Sequence, residues 1–238
     1  MPDSQGMPKE TEGIIFTEVI PQLIQGIDTG DLIRLGSIVR KLGRTTVYEP
    51  LTDSLRKIQW VRLMMHEAIS IEQDIASQVE PSALVSYPYG QVKHSLAVTD
   101  SIIHTKSALD SMAVFLNNLL ELKVPDNERD FKWGKFRQVV SNADRRLERV
   151  LKELEPWFKE LQGIRDEWIH RSSIRSVLIQ SRSEVGVLPI PKKNLEAGVH
   201  AFDVPITKEN FWSVRDFFNH SYANLTKLFS TIVRSCIE

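Results

Sequence analysis

The feature that most constrains this chain is a set of long stretches in which apolar residues recur every three or four positions. Over 54–80 the stripe is Ile58, Val61, Met65, Ala68, Ile75 and Val79. Over 92–122 it is Val98, Ile102, Leu109, Ala113, Leu116 and Leu120, and over 208–235 it is Phe211, Val214, Phe218, Tyr222, Leu225, Phe229 and Ile232. This is the period of an α-helix buried along one face. A helix of thirty residues is about 45 Å long, the length of a bundle rod. Pro50-Leu51-Thr52-Asp53 reads as a start signal for the first rod, and Pro81 with Tyr87-Pro88-Tyr89-Gly90 separates it from the second.

Shorter elements fit around these rods. Residues 14–43 read as a helical lead-in, with Ile15, Val19, Leu23 and Ile27 four apart and Asp28-Thr29-Gly30 as a turn and helix cap. A connecting region and a short helix near 143–154 follow the second rod. Pro156 then suits the first turn of a helix reaching about residue 171, with Trp157, Leu161, Ile164 and Trp168 on its apolar face. Val177-Leu178-Ile179 and Val185-Gly186-Val187-Leu188 change the period and predict a small β-hairpin before the last helix. The expected architecture is therefore mostly α: an up-down helical bundle with a β-hairpin insertion. Residues 1–13 form a flexible tail, 14–50 the lead-in and 51–238 the helical domain.

Composition narrows the class. At 238 residues the chain is long enough to bury its own core, and 42% hydrophobic with 26% charged residues is ordinary globular usage. No run approaches 18 apolar residues, so no membrane span is expected, and the first dozen residues lack the apolar core of a secretory signal. The one cysteine, Cys236, excludes an intramolecular disulfide and a multi-cysteine zinc site, so the expected compartment is the cytoplasm. Net charge is −1, but residues 129–193 hold 15 Lys and Arg against 9 Asp and Glu, a local balance of +6 that leaves −7 elsewhere. Such asymmetry permits a local anionic partner, and solvated helix faces produce it equally well.

Most familiar catalytic motifs are absent: the phosphate-cradling GxxxxGK[ST], GxGxxG, HExxH and GxSxG do not occur. His66, His94 and His104 are isolated on two helices and read as ordinary surface or core residues, and neither His200 nor His220 points to a site. The constellation Ile164-Arg165-Asp166-Glu167-Trp168-Ile169-His170-Arg171 differs. Arg165 has Leu161 and Ile169 at four residues and Gln162 and Trp168 at three, none of them acidic, and it borders the apolar stripe about 40° from Leu161. A guanidinium there needs a partner from elsewhere in the fold or from a ligand. Asp166 lies four residues before His170 and can fix its tautomer, and a helix C-terminus favours imidazolium. Basic residues at helix ends are also common for dipole reasons alone.

Arg165-Asp166-x-x-x-His170 resembles the R-[N/D/H]-x-x-x-H signature of the HEPN superfamily, helical ribonucleases of prokaryotic defence and toxin systems. Ala108-Leu109-Asp110-Ser111-Met112 is similar to the family's helix before the motif, and the resemblance covers roughly 55–235. It implies RNA cleavage without metal or other cofactor. The ribose 2′-OH attacks the adjacent phosphate, leaving a 2′,3′-cyclic phosphate and a 5′-OH. His170 would act as general base or acid, Arg165 would hold the phosphate and stabilise its developing charge, and Asp166 would orient His170. Five residues of helix turn about 500°, so Arg165 and His170 point about 140° apart and stand about 7.5 Å apart along the axis. One phosphate meets both only if the helix frays near His170 or a second subunit contributes. HEPN sites form at a dimer cleft, which implies a C2 homodimer with the 157–171 helices near its axis.

Substrate contacts are expected from Arg171, Arg145, Arg146 and Arg149, within a basic set that also includes Lys132, Lys135, Arg137 and Arg175. Trp133, Trp157 and Trp168 are each either core residues or base-stacking platforms, with packing the favoured role. The expected function is an endoribonuclease of toxin or abortive-infection type, with RNA as substrate and an antitoxin protein as a further partner. The alternatives are a catalytically silent HEPN-like dimeric interaction module and a helical bundle with an accidental motif.

Overall fold

The computed structural model describes residues 26–43, 45–78, 88–170, 190–191, 211–212 and 214–238, and these form a mostly α bundle. Seven α-helices lie among the described residues: α1 (Thr29–Lys41), α2 (Thr45–Gln78), α3 (Pro88–Leu119), α4 (Gly134–Ala143), α5 (Glu148–Glu153), α6 (Glu155–His170) and α7 (Val214–Ile237). Single 3-10 turns occupy Asp126–Glu128 and Arg145–Leu147.

The α2–α3 pair is the long antiparallel hairpin of the fold. Its register is set by polar ties across the pair. Ser111 donates to Asp53 at 2.7 Å, and Lys57 donates to Ser111 at 2.8 Å while pairing with Asp53 at 2.6 Å. Further along, the rings of Trp60 and His104 stack at 5.8 Å, and His94 meets Glu72 at 3.0 Å. Along the pair the expected stripes are buried at Ile58, Val61, Met65 and Ala68 of α2 and at Val98, Ile102, Leu109, Ala113 and Leu116 of α3; Leu120 is half-buried, and the side chains of Ile75 and Val79 lie outside the described residues. Burial pushes the Asp53 carboxyl up, but the hydrogen bonds from Lys57 and Ser111 and the nearby charges of Lys57 and Arg56 outweigh it and hold it below the usual range.

The last rod closes the core with Val214, Phe218, Leu225, Phe229 and Ile232, as expected, and widens its buried face with Phe217, Leu228 and Val233. Helix α1 packs against its C-terminal part. Asp28 accepts from the Gly30 N–H at 2.7 Å and so caps α1, Asp31 pairs with Arg234, and Leu32, Leu35 and Val39 join the common core. Helix α2 therefore starts near the C-terminal end of α7. By Arg62 it lies beside Tyr222, so it runs antiparallel to α7.

Several boundaries differ from expectation. Helix α2 begins at Thr45 with Pro50 in its second turn, where the ring removes one backbone donor but Leu51, Leu55 and Ile58 still anchor the helix. Residues 134–143, expected as connection, form a helix with Phe136 and Val140 buried. Helix α7 starts at Val214 rather than near 208 because Phe211–Trp212 pairs antiparallel with Ile190–Pro191, which takes Phe211 out of the helical stripe. The hairpin expected over 177–188 lies outside the described residues, and the two-residue pairing that is described gives it no support.

The C-terminal end of α7 is tied down by Asp144, a buried cap. It accepts from the Arg146 backbone at 3.0 Å and from that guanidinium at two points, each 2.9 Å, and it also meets the Ser235 hydroxyl. Burial raises this carboxyl, but the contacts from Arg146 and Ser235 more than offset it, so its pKa is lowered. A carboxyl depressed in the folded state stabilises fully above its unfolded pKa, near 3.9, and that stability is lost as pH falls through the folded value. Asp144→Ala is expected to cost about 2 kcal/mol in urea denaturation at neutral pH. It should also shrink the stability lost below about pH 4, where Asp53 and Asp144 both protonate.

Candidate functional site

The arginine that stood without an acidic neighbour in the sequence lies on α6, so the packing of α6 decides what surrounds it. Trp157, Leu161 and Ile164 are buried. Contacts along α6 and α7 run in opposite senses: Glu153, just before α6, pairs with Lys227, Trp157 Nε1 reaches Ser221 at 3.4 Å, and Glu160 lies 3.7 Å from His220. Helix α6 is thus antiparallel to α7. Arg165 lies eight residues past Trp157, about 12 Å toward the N-terminal end of α7. Glu72 lies ten residues past Arg62, about 15 Å toward the same end. Arg165 and Asp166 therefore share one end of the bundle with the Glu72–His94 pair.

Arg165 is half-buried, and among the described residues it has no hydrogen-bond or ion-pair partner. That sets it apart from the rest of the basic stretch. Arg129, Lys132, Lys135, Arg137, Arg145, Arg146, Lys152 and Lys159 each pair with a nearby carboxylate. Most cations described in this stretch therefore face an acid close at hand, and Arg171, Arg175, Arg182, Lys192 and Lys193, which carry most of the surplus, lie outside the described residues.

Asp166 is also half-buried, and its Oδ1 accepts from Gln162 Nε2 at 2.5 Å. The amide has one sensible orientation, because the reverse would set two acceptor oxygens 2.5 Å apart. Gln162 Oε1 therefore points away from the carboxylate, where it is buried without a hydrogen-bond partner among the described residues. Sequence reasoning passed over Gln162. Its place four residues before Asp166 was the available signal, since side chains at that spacing meet on a helix.

The other expected site residues are dispersed. His170 is the last residue of α6, and its side chain and the whole of Arg171 lie outside the described residues. The backbone is helical from Glu155 to His170, so there is no fraying before His170 and the angular separation of the Arg165 and His170 positions holds. Arg145 pairs with Glu148, Arg146 is clamped by Asp144, and Arg149 is exposed beside Glu153. Asp144 reaches Ser235 and Arg146 lies near Cys236, fifteen residues or about 22 Å of helix from the His220 contact with Glu160. A single chain does not bring this arginine group together with Arg165. Trp157 is packed in the core, Trp133 is 49% exposed, and the side chain of Trp168 lies outside the described residues. Burial pushes the Cys236 thiol up to about 11, so it is no nucleophile at neutral pH.

Comparison with known proteins adds one match. The Cthe2314-like HEPN family model aligns with residues 51–229. That interval holds α2 from Leu51 onward, α3 to α6 and most of α7. No curated protein and no solved structure matches the chain.

Gln162 allows a clean check of the local geometry. Gln162→Met keeps the length of the side chain, removes one hydrogen bond to a carboxylate and also removes a buried orphan acceptor. These two changes oppose each other, so the expected loss in urea denaturation is under about 1 kcal/mol. A loss well above about 2 kcal/mol would show that the Gln162 carbonyl has a partner.

Proposed function

Because the chain belongs to the Cthe2314-like HEPN family, we propose that it is an endoribonuclease whose reacting groups are Arg165, His170 and Asp166. The observation that carries this reading is the unpaired, half-buried guanidinium of Arg165, one residue before a carboxylate that Gln162 holds in place. A half-buried cation kept without a counter-charge, where most described cations of the stretch are paired, is available to an anion from outside. Phosphate matches a guanidinium in both charge and geometry.

In the proposed step the ribose 2′-OH gives its proton to a base as its oxygen bonds to phosphorus. The bond to the 5′-oxygen then breaks as that oxygen takes a proton. The products are a 2′,3′-cyclic phosphate and a 5′-OH, so atoms and protons balance without an added reactant. His170 serves one of these proton transfers, worth about 10²–10⁴-fold in rate. Arg165 holds the phosphate and stabilises its charge as the pentacoordinate state forms. Asp166 is a positioning residue: it stands four residues before His170, and Gln162 occupies only its Oδ1.

The geometry of α6 favours a site shared between two copies. Arg165 and His170 occupy helix positions about 140° apart, too far round one straight rod to grip one phosphate. A C2 dimer that sets two α6 ends together offers Arg165 of one copy with His170 of the other. Arg171, next along the chain, would lie at the same cleft. Such an enzyme fits a toxin or abortive-infection effector restrained by an antitoxin protein.

Incubation of the pure protein with single-stranded RNA in EDTA should yield 2′,3′-cyclic phosphate ends. His170→Ala should remove cutting, and Arg165→Ala should slow it about 10²–10³-fold, both with unchanged circular dichroism. Cutting that persists in both variants would overturn the assignment. A folded wild-type dimer that never cleaves RNA would identify a silent interaction module instead.

A further inference from the structure

The exposure of Trp133 has no part in the proposed reaction, and a groove lies beside it. This groove, of about 300 Å³, lies between α3 and the 126–133 segment, with Lys106, Asp110, Asp126, Arg129, Asp130 and Trp133 in its lining. Its volume is at the small end of ligand pockets.

Its charges cancel locally. Lys106, nearly buried, sits between Asp110 and Asp130, the latter at 3.1 Å. Arg129 pairs with Asp126 at 2.8 Å. Lys132, also in the lining, lies 3.6 Å from Asp130, and its ammonium sits over one face of the Trp133 ring, 5.0 Å from the ring centre, which leaves the opposite face for a stacked ring. A groove in which every cation already faces a carboxylate is not built to capture a phosphate. What it offers is a flat aromatic wall at 49% exposure and a rim of fixed donors and acceptors. The complementary ligand is a flat, uncharged ring with hydrogen-bonding edges.

We propose that this groove binds a nucleobase of single-stranded RNA, with the base stacked on Trp133 and its edge read by the rim. The identification of RNA rests on the ribonuclease reading above; the recognition of a flat polar ring rests on the groove alone. The position suits an accessory subsite. Phe131, within the same segment, stacks on Phe158 of α6 at 5.3 Å, and Arg165 follows seven residues later, about 10 Å of helix rise. A strand anchored by one base at Trp133 would present a sugar-phosphate link some nucleotides away to Arg165. Base stacking tolerates many sequences, so this subsite contributes affinity and direction, with any preference arising from the rim.

The test uses the full-length protein and probes that cannot be cleaved by 2′-OH attack: short mixed-sequence 2′-deoxy oligonucleotides, followed by adenosine and uridine monophosphates, ribose 5-phosphate and glucose. The nucleotides should quench tryptophan fluorescence, and that quenching should vanish in Trp133→Ala. Ribose 5-phosphate and glucose should cause none. Oligonucleotide affinity should fall about tenfold in Trp133→Ala and be largely kept in Trp133→Phe. Unchanged affinity in Trp133→Ala would overturn the subsite, as would quenching by ribose 5-phosphate or glucose equal to that by the nucleotides. The ribonuclease reading is scored separately on cleavable RNA. Trp133-dependent binding without cleavage keeps the subsite and removes the enzyme; cleavage with Trp133-independent binding does the reverse.

Discussion

The antiparallel packing of α6 on α7 determines where every candidate functional group of this chain falls. Trp157, Leu161 and Ile164 are buried on one side of α6, so the helix has a single rotational setting. With that setting fixed, Arg165 lies half-buried at the border of the apolar stripe. The sense of the packing carries the C-terminal end of α6 toward the N-terminal end of α7. It also leaves the Arg146–Asp144 clamp near the other end, by Ser235. The core thus separates two arginine groups that lie only twenty residues apart in sequence.

The treatment of charge follows the same economy. A surplus of positive charge in one stretch of sequence invites the idea of a cationic RNA face. In the fold the described side chains of that stretch find Asp126, Glu128, Asp130, Asp144, Glu148 and Glu155 as neighbours, while most of the surplus belongs to residues 171–193, outside the described side chains. Arg165 stands out because it escapes this pairing. The meaning of an arginine in this protein depends on its neighbours in space, which composition does not report.

The core was legible because helical burial leaves a periodic trace. Ile58, Val61, Met65 and Ala68, then Val98 through Leu116, then Val214, Phe218, Leu225, Phe229 and Ile232 were assigned to buried faces from spacing alone, and the structure buries them, while Tyr222 in the same stripe is half-buried. The Asp28 cap was legible for a different reason: an acidic side chain before a helical run satisfies orphan backbone donors. What spacing could not show was anything set by non-local pairing. Phe211 belongs by spacing to the last helical stripe, yet its backbone pairs with Pro191, twenty residues upstream. Helix α4 was missed because it is only ten residues long and follows directly on the 126–133 turns, although Phe136, Val139, Val140 and Ala143 stand at helical spacing. At the candidate site, Arg165 and Asp166 were found as a motif, whereas the role of Gln162 emerged only from its contact with Asp166. The exposure of Trp133 was likewise invisible, since a tryptophan beside a helix start packs inward as often as it projects.

The central claim is that the reacting arginine and histidine come from different copies of the chain. Co-expression of Arg165→Ala with His170→Ala, each inactive alone, tests it most directly. Random pairing makes half the dimers mixed, and a mixed dimer holds one intact site that takes Arg165 from one copy and His170 from the other. RNA cleavage should return to about a quarter of the wild-type rate. Mixed dimers that form, as shown by differently tagged subunits, and yet remain inactive would contradict the shared site and the account built on it.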